Sequence, residues 1–170
     1  MKKVKADDQF EFLVDKEKST ITIKRRFAAK RQLVWDCYTR SELLDRWFAP
    51  KPLTTKTRFM DFREGGHWLY AMVEPNGQEY WGRMDYQSIH PIDSYTSLDG
   101  FCDDTGELNP ALPRSKWHVT FSDVATHNTL VETVVLYASA EALQQVMQMG
   151  MKEGLTSTLE RLDELLLNLA

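Results

Sequence analysis

Residues 139–169 read SAEALQQVMQMGMKEGLTSTLERLDELLLNL. Leu143, Val146, Met147, Gly150, Met151, Gly154, Leu155, Thr158, Leu159, Leu162, Leu165, Leu166 and Leu169 recur at helical spacing. That spacing predicts one amphipathic helix of about seven turns, roughly 40 Å long. Ser139 offers an N-cap, and Glu141 puts a carboxylate in the first turn, where the helix dipole favours it. A helix of this length is marginal alone, so its apolar stripe needs a partner surface.

The partner is written upstream. Phe10 to Val14 and Thr20 to Arg26 flank a charged turn, Asp15 to Ser19, and predict a hairpin with Ile21, Ile23 and Arg25 on one face. The period then changes: Leu33, Val34, Cys37 and Tyr38 form a helical stripe within residues 28–38. Ser41 offers a cap for a second short helix through Leu44 and Trp47, stopped by Pro50-Lys51-Pro52. From Thr55 to Tyr137 the pattern mostly alternates, with Asn76-Gly77 as the strongest hairpin signal, read as a type I′ turn. Residues 102–116 read as a long loop carrying Gly106, Pro110 and Pro113. Strands, two short helices between the first and second core strands, a meander and a final helix specify an α+β fold. In it a curved antiparallel sheet wraps a long C-terminal helix.

A chain of 170 residues is long enough for one domain, 1–170, with residues 1–8 expected to fray. The net charge of −4, with both signs interspersed, argues against nucleic acid as a partner. Cys37 and Cys102 lack ligand spacing and read as reduced, buried thiols. The N-terminal lysines have no apolar run behind them, and no stretch is apolar enough to span a membrane, so the chain reads as cytoplasmic.

Nucleotide-loop, zincin, nucleophile-elbow and calcium-loop motifs do not occur. His67, His90, His118 and His127 are scattered, and Asp61, Arg63 and Glu64 are explained by ion pairs on a solvent face. No catalytic residue, metal ligand or cofactor is expected. Aromatic and methionine residues are abundant: Trp68, Tyr70 and Met72 alternate along one strand, Gly82, Met84 and Tyr86 along the next, and Trp117, Val119 and Phe121 farther on. These residues either fill a core or line a cavity with pliable thioethers and orienting polar tips. On the cavity reading the lining residues are Trp47, Trp68, Tyr70, Met84, Tyr86, Tyr95, Phe101, Trp117, Met147 and Met151. Gly150 and Gly154 on the helix then mark a buried face needing close approach or space.

Five segments, in this order, resemble the START-like (SRPBCC) superfamily and, within it, the family named after the activator of the heat-shock-protein-90 ATPase. They are Arg26-Phe27-Ala28-Ala29 followed by Val34-Trp35; Glu42 to Pro50 (ELLDRWFAP); Asp61 to Trp68 (DFREGGHW); Tyr86 to Pro91 (YQSIHP); and Met149 to Leu155 (MGMKEGL). The resemblance covers about residues 18–167. It implies a helix-grip fold with a cavity between sheet and C-terminal helix. Superfamily members share that cavity and not one catalytic set, so the fold does not select a function. The family's arginine shortly after the proline is replaced by Ile92-Asp93-Ser94, and the ion pair depending on it is expected to be missing. The eukaryotic activators' separate N-terminal domain has no counterpart here, which weighs against direct chaperone stimulation.

Three readings follow. The first is a non-enzymatic binder of a small apolar or amphipathic molecule. The second is a chaperone-cofactor-like interaction module. The third is a cyclase- or hydrolase-like enzyme, requiring an Asp, Glu or His aimed into the cavity beside a tyrosine; strand parity turns His67 and Asp85 outward. A monomer and a homodimer paired through the N-terminal hairpin are both compatible with the pattern.

Overall fold

Alternation in the strand segments builds one eight-stranded antiparallel sheet in the computed structural model, which describes residues 10–169. The fraying expected for residues 1–8 lies outside the described residues. The elements are β1 (Phe10–Asp15), β2 (Thr20–Phe27), α1 (Arg31–Thr39), α2 (Ser41–Leu44), β3 (Thr54–Met60), β4 (His67–Val73), β5 (Glu79–His90), β6 (Ser94–Cys102), β7 (Ser115–Ala125), β8 (Asn128–Tyr137), α3 (Ala140–Gln148) and α4 (Met151–Leu169). The strand order is β1-β2-β8-β7-β6-β5-β4-β3. Register shifts at Thr57/Phe59, Tyr86/Ser88 and Asp123/Ala125 interrupt three of the ladders, and such bulges bend a sheet. The fold is the α+β helix-grip arrangement, with α1 and α2 following β2.

Side-chain period two puts one apolar set on the concave face. Ile21 and Ile23 of β2 sit opposite Val135 and Thr133 of β8, and Trp117 and Val119 of β7 sit opposite Val135 and Thr133 on its other side. The strand β8, whose two apolar faces left its parity open from sequence, buries Thr129, Val131, Thr133, Val135 and Tyr137. Trp68 and Tyr70 of β4 face Met84 and Gly82 of β5. Gly82 is required there, because a Cβ would come within 2.7 Å of the Tyr70 ring.

The C-terminal segment departs from the single seven-turn helix expected. Gly150 takes φ +86°, a left-handed conformation that ends α3, and a second helix restarts at Met151. Gly150 therefore serves as a helix break, not as a site of close approach to the sheet. A Cβ on Gly154 would meet only Pro50, at 3.8 Å, so that glycine is not forced by packing either. The capping expectation at the other end agrees with the structure: the Ser139 side chain accepts from the Ala142 amide at 3.1 Å.

Within α4, Thr158, Leu159, Leu162, Leu165 and Leu166 form the buried stripe. Polar contacts clamp this helix. Arg161 Nη1 donates to the carbonyls of Ala49 (2.7 Å) and Leu53 (2.6 Å), and Asp163 pairs with Arg25, which projects from the concave face of β2.

Three local expectations are corrected. Only Gly77 has positive φ in the β4–β5 turn; Gly77 N–H donates to Glu74 O (2.8 Å) and Glu74 N–H to Gln78 O (2.9 Å). Pro75 pre-sets the first central residue of a type I turn, so Gly77 becomes its bulge instead of half of a type I′ turn. Ser41 is the first residue of α2 and Arg40 occupies the cap position, without a side-chain cap bond. Cys102 is only half-buried, whereas Cys37 is buried. At the position where the family's arginine is missing, an ion pair exists with the other polarity: Asp93 accepts from Arg31 at 2.5 Å.

The two glycines give opposite mutational expectations. Gly82→Ala should lose about 1–3 kcal/mol in urea unfolding because the added methyl strikes Tyr70. Gly154→Ala should gain about 1 kcal/mol, the helix-propensity difference, because its methyl meets nothing closer than Pro50. A larger loss at Gly154 than at Gly82 would contradict this packing.

Candidate functional site

Space remains between sheet and helix in two chambers. The inner is small, about 40 Å³, and is lined by Trp47, Trp68, Tyr86 and Tyr95 among others. The outer is about 310 Å³ and is lined by Tyr70, Tyr80, Trp81, Phe101 and Tyr137 from the sheet and by Val146, Met149, Met151 and Gly154 from the helical side. Phe48, Met84, Trp117, Leu155 and Thr158 line both and form the partition. Only the outer chamber reaches the range of small-molecule pockets, roughly 300–1,000 Å³.

The gap follows from the helix break. The leucines at 159, 162, 165 and 166 are buried in the core cluster, whereas Met149, Gly150 and Met151 at the break line the outer chamber with Leu155. Tyr80, Phe101 and Met149 are 46%, 38% and 54% exposed and also line the outer chamber, so they mark its mouth.

The inner end is closed by aromatic packing. Tyr38 meets Trp47 at 4.9 Å between ring centroids, Trp47 meets Phe48 at 5.5 Å, and Phe48 meets Trp68 at 5.0 Å, all edge to face. Trp68 stacks on Tyr70 at 4.0 Å. Trp47 Nε1 donates to the Cys37 carbonyl (2.9 Å) and Trp68 Nε1 to Thr57 Oγ1 (3.0 Å), so these indoles are committed to the scaffold.

Of the ten residues expected from the sequence to line a cavity, Trp47, Trp68, Tyr86 and Tyr95 fall on the inner chamber, Tyr70, Phe101 and Met151 on the outer, and Met84 and Trp117 on both. Met147 is corrected. It packs against the core cluster outside either lining, because the left-handed residue at Gly150 shifts the helical phase and presents Val146 and Met149 instead.

The sequence reading passed over Asp99. It faces Met84 across β5 and Ser115 across β7, and therefore projects from the concave face into the outer chamber. Asp99 Oδ1 accepts from the Ser115 amide (2.9 Å) and hydroxyl (2.6 Å), and Trp117 Nε1 donates to the same hydroxyl (3.0 Å). Burial raises the Asp99 carboxyl above the ordinary carboxylate range, against the opposing pull of the Ser115 bonds. Parity contained the signal: Asp99 lies two residues before Phe101 and four after Tyr95, both already placed on the lining. A carboxylate in the cavity beside a tyrosine was the requirement for acid–base chemistry, and Asp99 meets it beside Tyr70 and Tyr137 where His67 and Asp85 do not. His67 lies against Phe59 at 4.7 Å, and Asp85 is held between Arg83 (2.8 Å) and Arg114 (2.7 Å).

The remaining candidates are structural. Arg63 pairs with Asp61 on the surface, Glu64 accepts from the Ile89 amide, and burial pushes the Cys37 thiol up to about 11. Among the described residues no cluster of His, Cys, Asp or Glu is arranged to hold a metal ion, and no helix is long and apolar enough to cross a membrane.

Comparison with known proteins finds similarity over most of the chain. Residues 28–167 match the family described as Activator of Hsp90 ATPase homolog 1-like protein. No curated protein matches the chain. Among solved structures, a protein of Mycobacterium smegmatis is 34% identical, with a TM-score of 0.84 over 92% of this chain and 95% of that one. A protein of Arthrobacter aurescens is 25% identical, with a TM-score of 0.87 over 93% and 91%. A protein of Staphylococcus epidermidis is 27% identical, with a TM-score of 0.80 over 92% and 94%.

The phenols report on this interior. Burial raises the ionisation of Tyr38, Tyr70, Tyr86, Tyr95 and Tyr137, and a bond to Glu74 raises that of Tyr80. The unfolded chain ionises near pH 10 and the folded chain higher, so stability is intact below pH 10 and declines above it. In a spectrophotometric titration phenolate absorbance should rise late and together with unfolding. Independent titration of all six tyrosines near pH 10, with the fold intact, would contradict the burial.

Proposed function

We propose that this chain, which belongs to the family of Activator of Hsp90 ATPase homolog 1-like proteins, is a non-enzymatic binder that holds a small apolar or amphipathic molecule in its outer chamber. The observation that carries this reading is the size and lining of the chamber. A space of about 310 Å³ opens at an apolar mouth and is walled by aromatics, methionines and glycines, with very few polar groups. Burying an apolar molecule there removes about 25 cal/mol per Å² of apolar surface from water. The methionines at 149 and 151 supply side chains that can repack around different shapes.

A non-enzymatic role agrees with the poverty of the lining in chemistry. Asp99 is the one carboxylate among the described lining residues, and no histidine joins it. The family description supports a second reading, an action on a chaperone ATPase. A change in that ATPase rate on mixing would support it.

The test is a fluorescence titration with N-phenyl-1-naphthylamine, a neutral apolar probe. Saturable probe enhancement and quenching of tryptophan emission are expected, since Trp81 and Trp117 line the chamber. Leu155→Trp, which extends bulk into the space from α4, should weaken probe binding roughly tenfold, about 1.4 kcal/mol, while leaving the fold intact. No response to this probe or to a broad set of lipids and aromatic metabolites would contradict the reading.

A further inference from the structure

Among the described residues lining the outer chamber, Asp99 alone carries a formal charge. Its environment is unusual for a carboxylate. One oxygen, Oδ1, accepts both Ser115 bonds, and Ser115 is in turn held by the Trp117 indole. The Trp117 indole and the Arg114 charge also favour the ionised carboxylate, against the larger opposing effect of burial.

The Arg114 guanidinium acts on Asp99 through its charge, without a direct bond to the carboxylate oxygens. Arg114 Nε donates to the Asp99 backbone carbonyl (3.0 Å), while Arg114 Nη2 is bound to Asp85 Oδ2 (2.7 Å) and the Leu98 carbonyl (3.3 Å). Asp99 is thus a single carboxylate, held by Ser115, inside a chamber whose other walls are mostly apolar.

Those walls are aromatic. Tyr70, Trp117 and Tyr137 line the chamber around Asp99, and Tyr80, Trp81 and Phe101 line it towards the mouth. Aromatic faces attract cations by about 0.5–2 kcal/mol each, more when water is excluded. A carboxylate bond to a protonated amine is about twice as strong as a neutral one. An anionic ligand would meet the repulsion of Asp99, and a neutral one would cover the carboxylate without supplying a counter-charge.

We infer that the chamber selects amphipathic organic cations, its ligand carrying a protonated amine that binds the Asp99 carboxylate and an apolar ring system that lies against the aromatic walls. This deepens the binding reading above and rests on it. Asp99 is the anchor of charge, Ser115 and Trp117 position it, and the helix break sets the room for the apolar body.

The experiment compares three probes of nearly one shape: 1-naphthylmethylamine, 1-naphthalenemethanol and 1-naphthoic acid, titrated into the intact chain at pH 7.5. The amine should bind roughly tenfold tighter than the alcohol, and the acid weakest. In Asp99→Asn the preference for the amine over the alcohol should be lost, while retained binding of the alcohol reports an intact chamber. A second measurement needs no substitution. From pH 8 to pH 4 the wild-type preference for amine over alcohol should shrink as Asp99 takes up a proton. The raised phenols of Tyr70 and Tyr137 stay neutral over that span. Equal binding of amine and alcohol to the wild-type chain, or an amine preference that survives Asp99→Asn, would overturn the inference while leaving the cavity reading standing. Absence of binding by all three probes and by N-phenyl-1-naphthylamine would overturn both.

Discussion

A helix can cover only as much of a sheet as its apolar stripe is long, and the rest of this structure depends on that mismatch. The concave face of eight strands is apolar along most of its length. The continuous stripe of α4 runs from Thr158 to Leu166. Where it lies, the core closes around Leu162 and Leu165, with almost no space left. Beyond it the backbone turns through Gly150, and Leu155 is joined over the chamber by methionine, valine and glycine. The chamber is what a left-handed residue leaves when it interrupts a helix above a curved sheet.

Polar contacts keep this incomplete closure in one geometry. The Arg25–Asp163 pair sits between sheet and helix where burial raises the Asp163 carboxyl, so the pair is held against a desolvation cost and specifies position more than it stabilises. Arg161 ties α4 to the segment after α2, and the edge-to-face aromatics behind it fill the inner chamber. On the convex side the 103–114 loop lies across the sheet, Arg83 donating to Gly106 and Asp85 bridging Arg83 and Arg114, and Gly106 lies beside Leu69, which is buried on the face opposite Trp68. The part of the sheet behind the chamber is therefore stiffened from outside while its inner side stays open.

Much of this was legible in the residues, because period two and period 3.6 are strong signals and the resemblance motifs span most of the chain. The concave aromatics followed from parity alone. What was not legible has physical causes. A glycine on the apolar face of a helix looks the same whether it continues the helix or ends it, since its left-handed conformation depends on the tertiary path; Gly150 hid the break and moved Met147 off the lining. Asp99 was hidden by chemistry, being a carboxylate on a face read as apolar, although its parity with Tyr95 and Phe101 placed it there. The exposed lip at Tyr80, Phe101 and Met149 required knowing where the helical cover stops.

The central claim is that occupancy belongs to the outer chamber and not to the packed interior. The five tryptophan indoles report on it separately in a two-dimensional NMR spectrum, because Trp81 and Trp117 line that chamber while Trp35 is packed among Phe62, Tyr95 and Phe121. Titration with an apolar naphthalene probe should move the indole signals of Trp81 and Trp117 and leave that of Trp35 in place. Movement of Trp35 with Trp81 and Trp117 unchanged, or no movement of any indole at saturating probe, would contradict the account.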